Sequence, residues 1–216
     1  MKKDIAYIFL NGDLLGSTNF YKNFINNNIG DFYCADGGYK HCKSLNIFPL
    51  EIWGDLDSIS DFDIKFLEQK NIIIKKFNKD KDFTDGELIL NYVYEKGYDQ
   101  IIIIGGMGGR FSHTLTNLSL IVKYQNAIFL TESEKIFLVK NTHILKNKFG
   151  TTISFIPYSS NIISLTLNGF KYPLSCRDIE LGSSICMSNI IISNSATITY
   201  SKGWLIGIIE NFIDNL

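Results

Sequence analysis

Residues 51–60, EIWGDLDSIS, place two carboxylates, Asp55 and Asp57, directly after a short apolar run and a glycine. On an extended backbone, residues i and i+2 share one side about 7 Å apart, and at an effective dielectric of about 20 two such charges repel by roughly 2 to 3 kcal/mol. A hard cation such as Mg2+ offsets that cost, because it takes oxygen ligands and is commonly held by one or two carboxylates together with substrate phosphates. The alternative is a polar turn whose acids are simply solvated. Two more polar clusters follow apolar runs in the same way. Asp36-Gly37-Gly38 comes after FYCA, and Gly105-Gly106-Met107-Gly108-Gly109-Arg110 comes after QIIII. Acids suit a metal, glycines let backbone N–H groups approach phosphate, and an arginine pairs with anionic oxygens. The segment KDFTD, residues 81–85, adds Asp82 and Asp85. Thr84 reads there as a helix N-cap, with Asp85 as a first-turn acid, or as part of the same cluster.

These clusters need elements to carry them. Up to about residue 125, strand-length apolar runs (IAYIFL, FYCA, LEIW, NIIIKKF, QIIIIG) alternate with segments of helical spacing, the pattern of a mostly parallel sheet covered by helices. In TDGELILNYVYEKG, Leu88 pairs with Tyr92 and Ile89 with Val93 at i, i+4, and Gly97 ends the helix. Ligands of open α/β sheets bind at the carboxyl ends of the strands, so the polar clusters are expected on one edge. After about residue 127 the texture changes to short β-rich runs (AIFLT, KIFLVK, TTISFIP, IISLTLNG, NIIIS, ATITYS, GWLIGIIE) separated by Asn, Gly, Ser and Pro. That reads as a smaller all-β sandwich or barrel. The expected division is an α/β catalytic domain over 1–126 and a β-rich domain over 127–216.

Composition excludes several classes. The chain has 216 residues, 45% hydrophobic and 13% aromatic, enough for a full core. A net charge of −1 offers no basic surface for nucleic acid or membrane. The apolar run in MKKDIAYIFLNGD is too short for a signal peptide or a membrane span. Cys34, Cys42, Cys176 and Cys186 form no C-x-x-C pair and read as reduced thiols of a cytoplasmic protein. Arginine occurs only at Arg110 and Arg177 in a lysine-rich chain, so either marks a position where lysine would not serve. GGMGGRFS is neither a P-loop nor G-x-G-x-x-G, since Phe111 stands where the last glycine belongs.

ADGG, GDLDSI, KDFTD-ELIL and GGMGGRFSHTLTNL, in this order, resemble the catalytic half of the thiamine pyrophosphokinase (thiamine diphosphokinase) family. GFKYPL at 169–174 and LGSSICMSN at 181–189 resemble its thiamine-binding half. The resemblance implies transfer of the diphosphoryl group of ATP to the hydroxyl of thiamine, with release of AMP, by a homodimer whose sites form across the subunit interface. It implies Mg2+, with Mn2+ as a substitute, on Asp55 and Asp57. Asp36, Gly37, Gly38, Ser58, Lys81, Thr84, Gly106, Gly108, Gly109 and Arg110 fall by resemblance at the ATP site. Asp85 joins the acids or orients the hydroxyl, and Arg110 reaches phosphate. Ser184, Ser188 and Asn189 match positions that line the thiamine site, where an amide satisfies both the amino group and a ring nitrogen of the pyrimidine. Trp204 is either a ring that stacks on the pyrimidine or a core tryptophan, and His113 matches a family position that reads here as structural. His41 and His143 have no evident partners.

The chain departs from the family twice. Ser112 stands where an aspartate is usual, and Ile190 where a glutamate usually follows the S-N pair. The alternatives are a related diphosphokinase for another hydroxymethyl heterocycle, such as a pterin, and a non-catalytic thiamine-binding protein. The YPL and GSS…SN segments argue against the first; Asp55, Asp57, Asp85 and Arg110 argue against the second.

Overall fold

Apolar runs make the inner strands. The computed structural model describes residues 3–78 and 82–211, and contacts divide the chain into one unit that runs to Glu132 and a second that begins at Ser133. In the first unit β1 (Lys3–Phe9), β2 (Asp31–Ala35), β3 (Glu51–Gly54), β4 (Ile73–Lys76), β5 (Tyr98–Ile104) and β6 (Ala127–Leu130) alternate with α1 (Thr18–Asn27), α2 (Tyr39–Leu45), α3 (Asp61–Gln69), α4 (Asp85–Glu95) and α5 (Phe111–Lys123). Ala6 to Phe9 of β1 and Ile101 to Ile104 of β5 are buried, because a parallel strand covered by helices on both faces has no solvent side. Truncating one of these, as in Ile102→Ala, costs about 2 to 5 kcal/mol. Ser17, Ser60 and Thr84 cap α1, α3 and α4 by accepting N–H groups of Phe20, Asp63 and Glu87 at 3.2, 3.2 and 3.1 Å. Past the end of α4, Gly97 takes the left-handed φ of +77° expected of a helix stop.

The strand order is β6-β5-β1-β2-β3-β4 with every pairing parallel. The chain builds outward from β1 to β4 and then crosses to the other side of β1. The order thus reverses between β1 and β5, and ligands of such sheets bind at the carboxyl ends of the strands near that reversal.

One charge lies deep in this unit. The Glu51 carboxylate accepts hydrogen bonds from Trp53 Nε1 at 3.0 Å and Tyr92 Oη at 2.6 Å, and pairs with Lys75 Nζ at 3.1 Å. Burial pushes its pKa up, but these donors outweigh burial and hold it below the usual carboxylate range. Lys75 also stands over the Trp53 ring at 4.3 Å, and the rings of Trp53 and Tyr92 are 4.5 Å apart.

The second unit contains β7 (Glu134–Val139), β8 (Thr142–Lys146), β9 (Thr152–Pro157), β10 (Asn161–Asn168), β11 (Leu174–Glu180), β12 (Asn189–Ile190), β13 (Ser195–Thr199) and β14 (Leu205–Glu210). Within it β12-β9-β14-β7 and β11-β10-β13-β8 form two antiparallel arrays. The rings of Phe137 of β7 and His143 of β8, one from each array, lie 5.2 Å apart, so His143, which has no evident partner in the sequence, has one in the fold. β10 buries Ile162, Leu165 and Leu167. Its alternation is interrupted by a bulge at Ser164, whose φ is +57° and whose N–H donates to Asp178 Oδ1 at 2.8 Å.

The expected boundary at 126/127 moves. The run AIFLT, read as the opening of the β-rich half, is β6, and it pairs in parallel with β5, so the division falls after Glu132. Among the described residues no helix is long and apolar enough to cross a membrane.

Candidate active site

Glycines let the strand ends close on one another. A Cβ on Gly38 would lie 2.2 Å from the carbonyl oxygen of Phe9, and one on Gly54 would lie 2.5 Å from Cβ of Asp36. With only hydrogen at these positions, Asp36 at the end of β2 settles against the end of β3. The register puts Ala35 opposite Trp53, one residue before each of these two. Asp36, Asp55 and Asp57 then converge, each with a carboxylate oxygen within 4.8 Å of the others.

The extended spacing assumed for Asp55 and Asp57 does not hold. Leu56 between them has φ +65°, and the Asp57 N–H turns back to Asp55 Oδ1 at 3.2 Å. A bulky residue in the left-handed region costs on the order of 1 to 3 kcal/mol and persists where its surroundings enforce it, typically at sites of function. The turn tightens the acids, so the mutual repulsion rises to about 3 to 4 kcal/mol per ionised pair at the same effective dielectric.

Asp36, expected beside the nucleotide, proves to be the third member of this acidic cluster. Its carboxyl is pushed above the usual range, first by burial and also by the charges of Asp55 and Asp57, against a lowering hydrogen bond from Ser58. Its Oδ1 is buried with no hydrogen-bond partner among the described residues. A buried acceptor left bare beside two further carboxylates is the donor set a hard divalent cation takes. The residues present therefore fit Mg2+.

The cluster opens into a cavity of about 660 Å³. Asp36 and Gly37 reach it from the end of β2, Asp55, Asp57 and Ser58 from the end of β3. Asp82, Thr84 and Asp85 reach it from the entry to α4, and Gly106, Gly108, Gly109 and Arg110 from the turn between β5 and α5. Gly38 lies behind the wall against Phe9. Lys81 lies outside the described residues. Thr84 lines the cavity while its hydroxyl caps α4. His113 is exposed on the cavity wall and not packed under α5, so the structural reading gives way. Ser112 is exposed and absent from the lining.

Sequence reasoning missed the segment after β1. Asn11 and Gly12 line the cavity, and buried His41 bonds the Gly12 carbonyl oxygen through Nε2 at 2.9 Å. The signal was present: Asn-Gly-Asp after an apolar run follows the same rule as the other three clusters.

In the β unit, Ser184 and Ser188 are exposed, and Ser188 has φ +49° with its N–H donating to Ser154 Oγ at 2.9 Å. Trp204 is 40% exposed, so it is not a core tryptophan. Asn189 is only 2% exposed and its amide is occupied. Oδ1 accepts from the N–H of Tyr172 at 3.0 Å and of Ile190 at 2.9 Å, and Nδ2 donates to the Tyr172 carbonyl at 2.8 Å. It thereby ties GFKYPL to β12, and both acceptor sites of its oxygen are spent.

Two family models match the chain: "Thiamin pyrophosphokinase, catalytic domain" over residues 24–131 and "Thiamin pyrophosphokinase, vitamin B1 binding domain" over residues 141–205. Thiamine pyrophosphokinase of Bacillus subtilis is 36% identical over 200 residues, covering 90% of each chain. Thiamine pyrophosphokinase 1 of rice is 27% identical over 194 residues, 77% of this chain and 74% of its own. The crystal structure of the B. subtilis enzyme superposes with a TM-score of 0.82 at 29% identity, covering 98% of this chain and all 100% of its own. That of the Geobacillus thermodenitrificans protein gives 0.83 at 27% identity, with the same coverage.

Proposed function

The chain belongs to the thiamine pyrophosphokinase family, and from that premise we propose that it transfers the diphosphoryl group of ATP to the hydroxyl of thiamine, giving thiamine diphosphate and AMP. The observation that carries this reading is the cluster of Asp36, Asp55 and Asp57 with its bare buried oxygen at the mouth of the cavity. These three would hold Mg2+, or Mn2+, which when bound supplies positive charge against the phosphates. The chain's own residues do the rest. Transfer to an alcohol needs alignment of the attacking oxygen with the scissile bond and neutralisation of charge, and little covalent chemistry from protein. Arg110 supplies a fixed cation to the same cavity lining, from the turn after β5. Gly106, Gly108 and Gly109 line the cavity; the first two leave room for the Phe129 ring and the Asp13 carboxylate, and at Gly109, where a Cβ would meet nothing within 4 Å, the bare backbone is open to phosphate oxygens. Asp85, at the first turn of α4, is placed to orient the thiamine hydroxyl or to join the acids.

Thiamine recognition belongs to the β unit, with Ser184, Ser188 and Trp204 as exposed contacts. A cytoplasmic homodimer with sites formed across its interface completes the reading. The exposed apolar side chains Leu181, Ile185, Met187 and Ile192 support the dimer, and four free cysteines suit a reducing compartment. Assay of products with thiamine present and absent tests the proposal. AMP should form one for one with thiamine diphosphate, and only when Mg2+ or Mn2+ is added. ADP together with thiamine monophosphate would overturn it.

A further inference from the structure

The turn after β5 contains two successive left-handed residues, Gly108 at φ +81° and Gly109 at φ +64°. Glycine reaches that conformation without strain, yet nothing in its own covalent structure keeps it there. What keeps it there comes from the end of β1. Gly12 N–H donates to the Gly105 carbonyl at 2.7 Å and Asp13 N–H to the Met107 carbonyl at 2.8 Å. The Asp13 carboxylate then accepts the N–H of Gly109 at 3.2 Å through Oδ2. A Cβ on Gly108 would fall 2.4 Å from that same oxygen, so the carboxylate lies directly against the glycine.

The bracing segment is itself anchored. Lys40 Nζ donates to the Asn11 carbonyl at 2.9 Å, and His41 Nε2 meets the Gly12 carbonyl at 2.9 Å. A carbonyl oxygen only accepts, so Nε2 carries the hydrogen. Burial lowers the pKa of His41, which keeps the ring neutral and this tether unaltered near neutral pH.

We infer that Asp13 is a positioning residue for phosphate binding: its hydrogen bond to Gly109 fixes the turn that presents Arg110 and the glycine backbone to the cavity. The inference rests on the reading of that cavity as the ATP site. Asp13 itself belongs neither to the acidic cluster nor to the cavity lining, so it acts through the turn.

The test compares the full-length parent with Asp13→Ala and Asp13→Asn, varying ATP and thiamine separately and following hydrogen exchange at the Gly109 amide. Loss of one partly exposed hydrogen bond, about 1 kcal/mol, should raise KM for ATP about fivefold in Asp13→Ala. KM for thiamine should stay at the parent value, and exchange at Gly109 should become faster. Asp13→Asn keeps an oxygen acceptor and should match the parent in all three. In an Arg110→Ala background, Asp13→Ala should add little further loss of ATP affinity, because the two then share one pathway. Parent-like kinetics and unchanged Gly109 exchange in Asp13→Ala would overturn the inference. So would an equal rise in both KM values, or an Asp13→Asn enzyme as impaired as Asp13→Ala, which would make charge and not the hydrogen bond the acting feature. A parent that makes no AMP from ATP would sink the reading of the cavity instead, and Gly109 exchange would still judge the brace.

Discussion

The two units treat their polar groups in opposite ways. In the α/β unit, Asp36 keeps a buried oxygen without a partner among the described residues, Leu56 holds a left-handed backbone, and three carboxylates crowd within 4.8 Å. Each of these lowers the stability of the free protein. In the β unit, the most buried polar residue of the family motif, Asn189, has its acceptor oxygen bonded to two backbone N–H groups and its amide nitrogen to a carbonyl. Its amide completes the architecture. Polar cost with no local compensation marks the place that a ligand finishes; polar satisfaction marks scaffold, even inside a motif associated with binding.

Substitutions can break that comparison. The largest effect is expected from Asp57→Asn, which should lower kcat by two to three orders of magnitude, about 3 to 4 kcal/mol of transition-state stabilisation. Because the change also removes a like charge, the thermal midpoint should hold or rise; a drop of several degrees would mean that the cluster is scaffold after all. Asn189→Ala should do the reverse. Unpairing two backbone N–H groups and a carbonyl costs roughly 1 to 3 kcal/mol, visible as a lower urea midpoint. Unchanged stability with a selective loss of thiamine affinity would restore Asn189 as a direct contact.

A third, smaller effect concerns pH. Burial, joined by the charges of Asp55 and Asp57 and opposed by Ser58, raises the Asp36 pKa above the ordinary carboxylate value. Protonated Asp36 cannot ligate a cation, so the Mg2+ midpoint should climb as pH falls through that raised pKa, by up to about tenfold per pH unit. In metal-free protein the sign is opposite. The folded state holds this proton more tightly than the unfolded chain, so the stabilisation is full below the ordinary carboxylate pKa. It is lost as pH rises through the raised one. Asp36→Asn should remove that slope from urea midpoints taken across the acidic range; an unchanged slope would assign it to another group. The smallest effect is expected at Ser112. Since its side chain is exposed and outside the cavity lining, Ser112→Asp should move the Mg2+ midpoint by less than about threefold, the scale of a screened surface charge. A larger shift in a Mg2+ titration would bring residue 112 into the metal site.

Legibility in the sequence followed the physics of burial. β1, β2 and β5 read plainly from continuous apolar stretches, because parallel strands covered on both faces favour them; β3 reads as a strand despite the buried charge of Glu51, which Trp53, Tyr92 and Lys75 hold. β8 and β11 went unread. Both are edges of their array, and β11 exposes Ser175, Cys176, Arg177 and Asp178 in succession, which leaves no alternation to detect. β6 was seen but assigned to the wrong half, since a four-residue apolar strand carries no mark of parallel or antiparallel pairing. In the site, the clusters at strand ends were legible from glycine and aspartate alone. The convergence of Asp36 with Asp55 and Asp57 was not, because it depends on the register of β2 with β3 and on the missing side chain of Gly54. The sequence motif marks Asn189 but not its bonds to the backbone of Tyr172, which is 17 residues away.

The chain contains two tryptophans, and they fall one in each unit. Trp53 is 8% exposed, under the Lys75 ammonium and beside Tyr92, whereas Trp204 is 40% exposed. An indole in that dry, charged enclosure emits toward the blue, and one half in water emits toward the red, so the intrinsic emission of the native chain is a sum of two resolvable colours. Trp53 is also separated from Asp55 only by Gly54. With Trp204 replaced by phenylalanine, the remaining emitter would report, without any label, whether a cation enters at the acidic turn.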